Sequence, residues 1–182
     1  MKFFFSIPFF FLMSCNTEPL TIYSSIDGIN HENILNGPGS IKKHTLELIY
    51  NLDSSISDEN FELLIHELDS GSNIWKKYYL NGLTFYCDRL NIGQQLKLES
   101  ALFKFLIFYP KEFSECIKKM EIQKSDCFLL SISNYVRLYL SRNEITIISM
   151  KNVAKNHCKN CTDSEIDFIY NYLDLANNSL NE

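Results

Sequence analysis

The chain has 182 residues, of which 46 % are apolar and 21 % charged, with 17 basic against 22 acidic side chains and a formal charge of −5. The surplus of carboxylates argues against a nucleic-acid-binding protein, whose affinity rests on Lys and Arg neutralising phosphates, and against a polybasic membrane patch. The length suffices for one domain with a substantial core.

Lys2 precedes an apolar run at 3–13, interrupted only by Ser6 and Pro8, and the run ends at small Ser14, the layout of an export signal. A helix of that length rises on the order of 16 Å, about half of a ~30 Å hydrocarbon core, so the run is a signal and not a span. The letters LMSC at 12–15 then resemble the lipobox of bacterial lipoproteins: Leu12 at −3, Ser14 at −1 and Cys15 at +1, with Met13 departing from the smaller residues usual at −2. The resemblance implies a diacylglycerol on the Cys15 thiol, cleavage just before it and an acylated amino terminus. It places the mature protein on a membrane of the cell envelope, because two or three acyl chains hold stably where one is marginal. Asn16 stands where enterobacterial lipoproteins retained in the inner membrane carry aspartate, which implies the outer membrane, facing periplasm or exterior. The alternative reading is a plain secretory signal, with Cys15 kept as a disulfide partner. Loss of Lys2 with the signal takes the formal charge from −5 to about −6, which permits a basic partner but also serves solubility alone.

Residues 16–39 mix Asn, Ser, Pro and Gly without a sustained apolar period and read as a tether, with an end-to-end distance of roughly 25–30 Å. The chain thus divides into a signal at 1–14, a lipidated tether at 15–39 and a domain at 40–182.

From Ser40 onward, apolar residues recur at helical spacing. Ile41, Leu48, Ile49 and Leu52 mark a first helix. Ser57 caps a second, with Asp58 and Glu59 in its first turn, Phe61, Leu64, Ile65 and Leu68 on one face, and Gly71 just past its end. Trp75, Tyr79, Leu83, Tyr86, Cys87 and Leu90 make a longer third helix, which leaves Lys77 and Tyr78 pointing outward as candidate partner contacts. A fourth carries Leu98, Leu102, Phe105, Leu106 and Tyr109, and Pro110 opens a fifth with Phe113, Cys116, Ile117 and Met120 inward. Ser125 reads as the cap of a sixth, with Phe128, Ile132, Tyr135, Val136 and Tyr139 along its buried side. The letters EITIISM suit a short strand or a helix, and we favour a helix reaching about Asn156. TDSE at 162–165 matches a capping box, and Ile166, Ile169, Tyr170 and Leu173 form the face of the last helix. The expected fold is all-α, seven or eight antiparallel helices, with hairpins at roughly 35 to 40 residue spacing that suggest a HEAT-like α-solenoid although no sequence repeat is clean.

With Cys15 lipidated, five cysteines remain, and two bridges among them can be drawn in fifteen ways. An exported compartment permits bridges. Cys116 near the end of one helix and Cys127 near the start of the next are the preferred pair, contributing roughly 2 to 3 kcal/mol in the chain-entropy model. HCKNC at 157–161 is the one motif-like cluster. As a redox site, Cys158 and Cys161 form a CxxC dithiol before a helix start, yet no βαβ context surrounds it. Haem attachment needs the histidine after the second cysteine. Zinc would need a fourth ligand beside His157 and the two thiols, for which only Cys87 offers itself. The expectation is a structural disulfide pinning the turn.

His31, His44 and His66 have no companions arranged as a triad, and no G-x-S-x-G, H-E-x-x-H or phosphate loop is present. No catalytic residue, metal or cofactor is implied. The features favour a membrane-tethered protein-binding module, one form of which is an inhibitory, immunity-type protein. Two other readings stay open: a structural accessory lipoprotein of an envelope complex, and a thiol–disulfide enzyme using Cys158 and Cys161. The partners implied are a membrane, through the lipid on Cys15, and a protein; nucleic acid is not among them.

Overall fold

The computed structural model describes residues 29–50, 52, 57–87, 89–120, 122–142 and 145–178, so Cys15, the export signal and most of the tether lie outside the described residues. Among the described residues there are nine α-helices and no strand: α1 (His31–Leu35), α2 (Ile41–Ile49), α3 (Asp58–Ser70), α4 (Asn73–Leu83), α5 (Ile92–Phe108), α6 (Pro110–Ile117), α7 (Ile122–Ser141), α8 (Ile147–His157) and α9 (Asp163–Asn178), with a 3-10 turn at Thr84–Tyr86 after α4. The fold is all-α, as the periodicity demands.

Most helix starts follow from side chains that satisfy orphan backbone N–H groups, each worth about 1 kcal/mol. Ser40 Oγ accepts from the Lys43 N–H at 3.2 Å, and Ser57 Oγ from the Asn60 N–H at 3.1 Å. Asn91 and Gln94 cap each other reciprocally at 3.0 Å at the start of α5. Thr146 Oγ1 accepts from the Ser149 N–H at 3.1 Å, which commits the stretch from Ile147 onward, the second half of EITIISM, to helix α8. Thr162 and Glu165 form the expected capping box, and Pro110 opens α6.

Three boundaries differ from the sequence reading. Helix α7 begins at Ile122, so Ser125 lies inside its first turn and not at its cap position, and its carbonyl accepts from the Tyr172 hydroxyl at 3.5 Å. Helix α2 stops at Ile49, leaving Leu52 65 % exposed. The long third helix ends at Leu83 and tightens into the 3-10 turn. Within the stretch read as tether, residues 29–39 include α1, which is capped by Asn30 and packs on α2, with His31 Nδ1 2.6 Å from the Tyr50 hydroxyl. The helical part therefore begins before residue 40.

The helices stack in two layers, and the hydrogen bonds between neighbours reveal the register. In one layer α3, α5 and α7 lie side by side. Gln94 Nε2 donates to Asp58 Oδ1 at 2.6 Å and Lys97 pairs with Glu62. One helix further, Gln95 Nε2 meets Ser131 Oγ at 3.3 Å, Asn134 Nδ2 meets Glu99 Oε1 at 3.0 Å, and Ser100 Oγ meets the Tyr135 hydroxyl at 3.2 Å. All these pairs are separated by 35 or 36 residues. A constant offset along both members means that the helices run parallel. The other layer, α2, α4 and α6, shows the same pattern: the Tyr78 hydroxyl donates to the Lys42 carbonyl, Asn73 to Glu112, and Lys77 pairs with Glu115, over separations of 36 to 39 residues, and α9 packs next to α6. Hairpins α3–α4 and α5–α6 are thus stacked units of a solenoid-like array whose repeat is legible in contacts but not in letters.

Between the layers lies the core, including Phe61, Leu64, Tyr79, Leu83, Leu102, Phe105, Phe113, Phe128 and Ile132, all essentially inaccessible. Such side chains each contribute about 1.5–3 kcal/mol on burial. Helix α4 touches α2, α3 and α6 at once, so it has almost no outward face. This corrects the reading of Tyr78, which is fully buried; Lys77 is partly exposed but held by Glu115. Gly82 belongs here because a Cβ would meet Thr45 Cγ2 of α2 at 2.5 Å.

Lys76 is buried as well. Its ammonium donates to the Leu68 carbonyl at 3.0 Å and to the Asp69 carbonyl, two of the carbonyls that α3 leaves unpaired at its C-terminal end, and lies 4.1 Å from the centre of the Tyr109 ring. Lys76→Met keeps the stem and removes the donors, so we expect a loss of about 2–4 kcal/mol in urea unfolding at unchanged helicity.

Candidate functional site

Parallel neighbours with large side chains would close the seam between α3 and α5. Small Ser100 and Ala101 interrupt the Leu and Phe run of α5, and an open groove of about 480 Å³ results. Its apolar surface comes from Ile65, Leu96, Phe105 and Tyr109, and its polar rim from Glu62, His66 and Asp69 on α3 and Lys97 and Lys104 on α5. The volume falls within the range of about 300–1,000 Å³ usual for binding clefts. Lys97 is engaged by Glu62, and Lys104 lines the same α5 wall. Helix α3 itself carries Asp58, Glu59, Glu62, Glu67 and Asp69 with no Lys or Arg; of these, Glu62 and Asp69 line the groove and face Lys97 and Lys104 of α5. The sequence reading did not find this groove; the small pair Ser100–Ala101 in an otherwise bulky helix was the available signal.

The cysteines pair differently from expectation. Cys87, just after the 3-10 turn, is bonded to Cys127 near the start of α7, with Cα atoms 6.1 Å apart. The expected Cys116–Cys127 bridge is absent because α6 and α7 are not an antiparallel hairpin: α6 joins the layer of α4 and α9, while α7 joins that of α5. Cys116 is a free, buried thiol, and burial pushes its pKa up to about 12, which keeps it protonated and unreactive.

Cys158 and Cys161 are bonded to each other across the turn between α8 and α9, as expected, with Cα atoms 5.2 Å apart. The turn also has its own hydrogen bonds. The Cys158 N–H donates to the Ala154 and Lys155 carbonyls and the Cys161 N–H to the Cys158 carbonyl. The N–H and hydroxyl of Thr162 hold the Glu165 carboxyl below its usual range, with Lys111 and Lys118 acting in the same direction. Both cysteines line a hollow of about 130 Å³ together with His157, Lys159 and, from α6, Lys111 and Glu112. Lys111 Nζ lies 3.5 Å from the Asn160 carbonyl inside the CxxC loop, and the His157 ring stands edge-on to Phe108 at 4.9 Å. The zinc reading loses its fourth ligand, since Cys87 is bonded elsewhere, and no group of three His, Cys, Asp or Glu among the described residues is placed to hold a metal.

Comparison with known proteins finds no family model, no curated protein and no solved structure that matches the chain.

The two disulfides close loops of very different length, 40 and 3 residues apart in sequence. In the chain-entropy model they restrict the unfolded chain by about 4 and about 2 kcal/mol respectively. Replacing Cys87 and Cys127 with Ser is therefore expected to lower the free energy of unfolding in urea about twice as much as replacing Cys158 and Cys161.

Proposed function

We propose that this chain is a lipid-anchored binding module of the cell envelope, carried on Cys15 at the outer membrane, whose α3–α5 groove holds a basic, apolar-anchored segment of a protein partner. The observation that carries the reading is the groove itself: an apolar floor between two stacked hairpins, with Glu62 and Asp69 on its α3 wall and Lys97 and Lys104 on its α5 wall, so that a segment's cations are directed to the α3 side. Ile65, Leu96 and Phe105 receive the anchor side chain, and the carboxylates of α3 draw and orient the cations around it. Two disulfides favour an oxidising compartment, in line with the export signal. Occupying such a groove suits an inhibitory, immunity-type role, in which capture of the segment disables the partner. A structural role in an envelope complex would use the same surface with a permanent occupant.

The test places a photo-crosslinking residue at Leu96 in the groove, and separately at exposed Val153 on α8, in protein extracted from native membranes. We expect one basic partner crosslinked from position 96 and not from 153. Its yield should fall between ~0.1 M and ~1 M salt, as the screening length shrinks from about 10 Å to about 3 Å. The amino-terminal peptide should carry acyl mass on Cys15, and Cys15→Ala should leave the membrane fraction. Equal labelling from both positions sinks the groove assignment, and an unmodified Cys15 sinks the anchor.

A further inference from the structure

We propose that the Cys158–Cys161 disulfide is a thiol–disulfide exchange site, attacked at Cys161 Sγ by the thiolate of a protein or peptide dithiol. Four observations converge on it. Cys161 is partly exposed whereas Cys158 is 8 % exposed, so an incoming sulfur meets Cys161 first. Both cysteines line a hollow open to solvent, with room for a thiol side chain. Lys111 and Lys159 line that hollow from two different elements against one carboxylate, Glu112, and α9 starts two residues after Cys161, so the balance around Cys161 favours negative sulfur. Finally, the turn does not need the bond to keep its shape, because the Cys158 and Cys161 N–H groups and the Thr162–Glu165 capping box already hold it. Opening the bond frees a loop of a few residues at the edge of the fold, while Cys87–Cys127 ties the 3-10 turn to α7.

The chemistry balances without an outside oxidant. The partner thiolate forms a bond to Cys161 Sγ, the Cys161–Cys158 bond breaks, and its electron pair leaves on Cys158 Sγ, which takes a proton from solvent. The partner's second thiol, deprotonated, attacks the partner sulfur of the mixed disulfide and expels Cys161 as a thiolate. The partner dithiol is oxidised by two electrons to a disulfide, and the CxxC pair is reduced by the same two. In the reverse direction the Cys161 thiolate attacks a disulfide such as that of glutathione, and Cys158 resolves the mixed species, restoring the bond seen here. The mutual order of the two cysteines follows from their surroundings: the exposed sulfur precedes a helix start, whereas the buried one closes the C-terminal end of α8, where negative charge is disfavoured. Cys116 does not compete, since it is buried in α6.

The test uses the full chain under native conditions. It is titrated with dithiothreitol, trapped by alkylation and read peptide by peptide in a mass spectrometer, with helicity followed in parallel. We expect Cys158 and Cys161 to become alkylated together at a reductant concentration on the order of tenfold below that needed for Cys87 and Cys127, with the circular dichroism unchanged. In Cys158→Ser, which leaves Cys161 free, glutathione disulfide should form a mixed disulfide on the order of tenfold faster than in Cys161→Ser. Reduction of the pair only alongside Cys87–Cys127 as helicity is lost overturns the proposal, and so do equal rates in the two variants. Should either variant fail to fold, the titration of the unaltered chain decides by itself. The groove plays no part in these readouts, so they stand or fall apart from the binding role.

Discussion

Much of the geometry depends on the buried ammonium of Lys76. A helix that ends inside a protein leaves carbonyls unpaired, and leaving them so costs about as much as a lost hydrogen bond for each. The end of α3 resolves this through a cation delivered from α4, the helix that follows it after a two-residue turn. Gly71 at that turn is needed for closeness and not for a left-handed backbone: its φ is −66°, and a Cβ would meet the Glu67 carbonyl at 2.7 Å. The same ammonium reaches the Tyr109 ring at the corner between α5 and α6. One side chain therefore joins the end of one hairpin to the corner of the next, and Tyr109 and Leu68 on either side of it both line the α3–α5 groove.

From that junction the parallel register propagates. Once α3 and α5 are offset by about one hairpin, polar partners recur at the same separation between α5 and α7. Glu99 shows how far this goes. Its carboxylate is buried, yet it accepts from the amides of Asn134 and, at 3.4 Å, Gln95, so this polar rung between two helices of one layer is satisfied without a cation. The rungs govern where seams can open. Between α5 and α7 the aromatic rings of Phe103, Tyr135 and Tyr139 fill the seam, with Phe103 and Tyr135 centroids 4.9 Å apart. Between α3 and α5 the corresponding space is left open beside Ser100 and Ala101.

What the letters disclose follows from range. Caps act over three residues, so Ser57, Pro110 and Thr162 with Glu165 were legible, as was the helical outcome at EITIISM once Thr146 could cap it. Burial on α4 was not, because periodicity assumes one buried face and α4 is enclosed by three neighbours. That is why Tyr78 read as an outward contact although it is fully buried. Cysteine pairing split along the same line: Cys158 with Cys161 is local and was read correctly, whereas Cys87 with Cys127 depends on which layer α7 joins. Ser125 misled because three earlier residues already belong to the helix. The groove depends on the offset between two helices that no local pattern encodes.

The Cys87–Cys127 bond also alters how the chain bears mechanical load. A pull applied along the backbone from the amino-terminal side crosses the sulfur bridge and bypasses everything between those two residues. The bypassed ring contains all of α5 and α6, so on extension roughly 140 Å of contour length stays folded away at about 3.5 Å per residue. One wall of the groove thus sits inside a covalently closed ring that tension cannot unravel, while α3 on the other wall lies in the load path. Force would therefore part the groove by peeling away its acidic side and would leave the α5 side covalently enclosed.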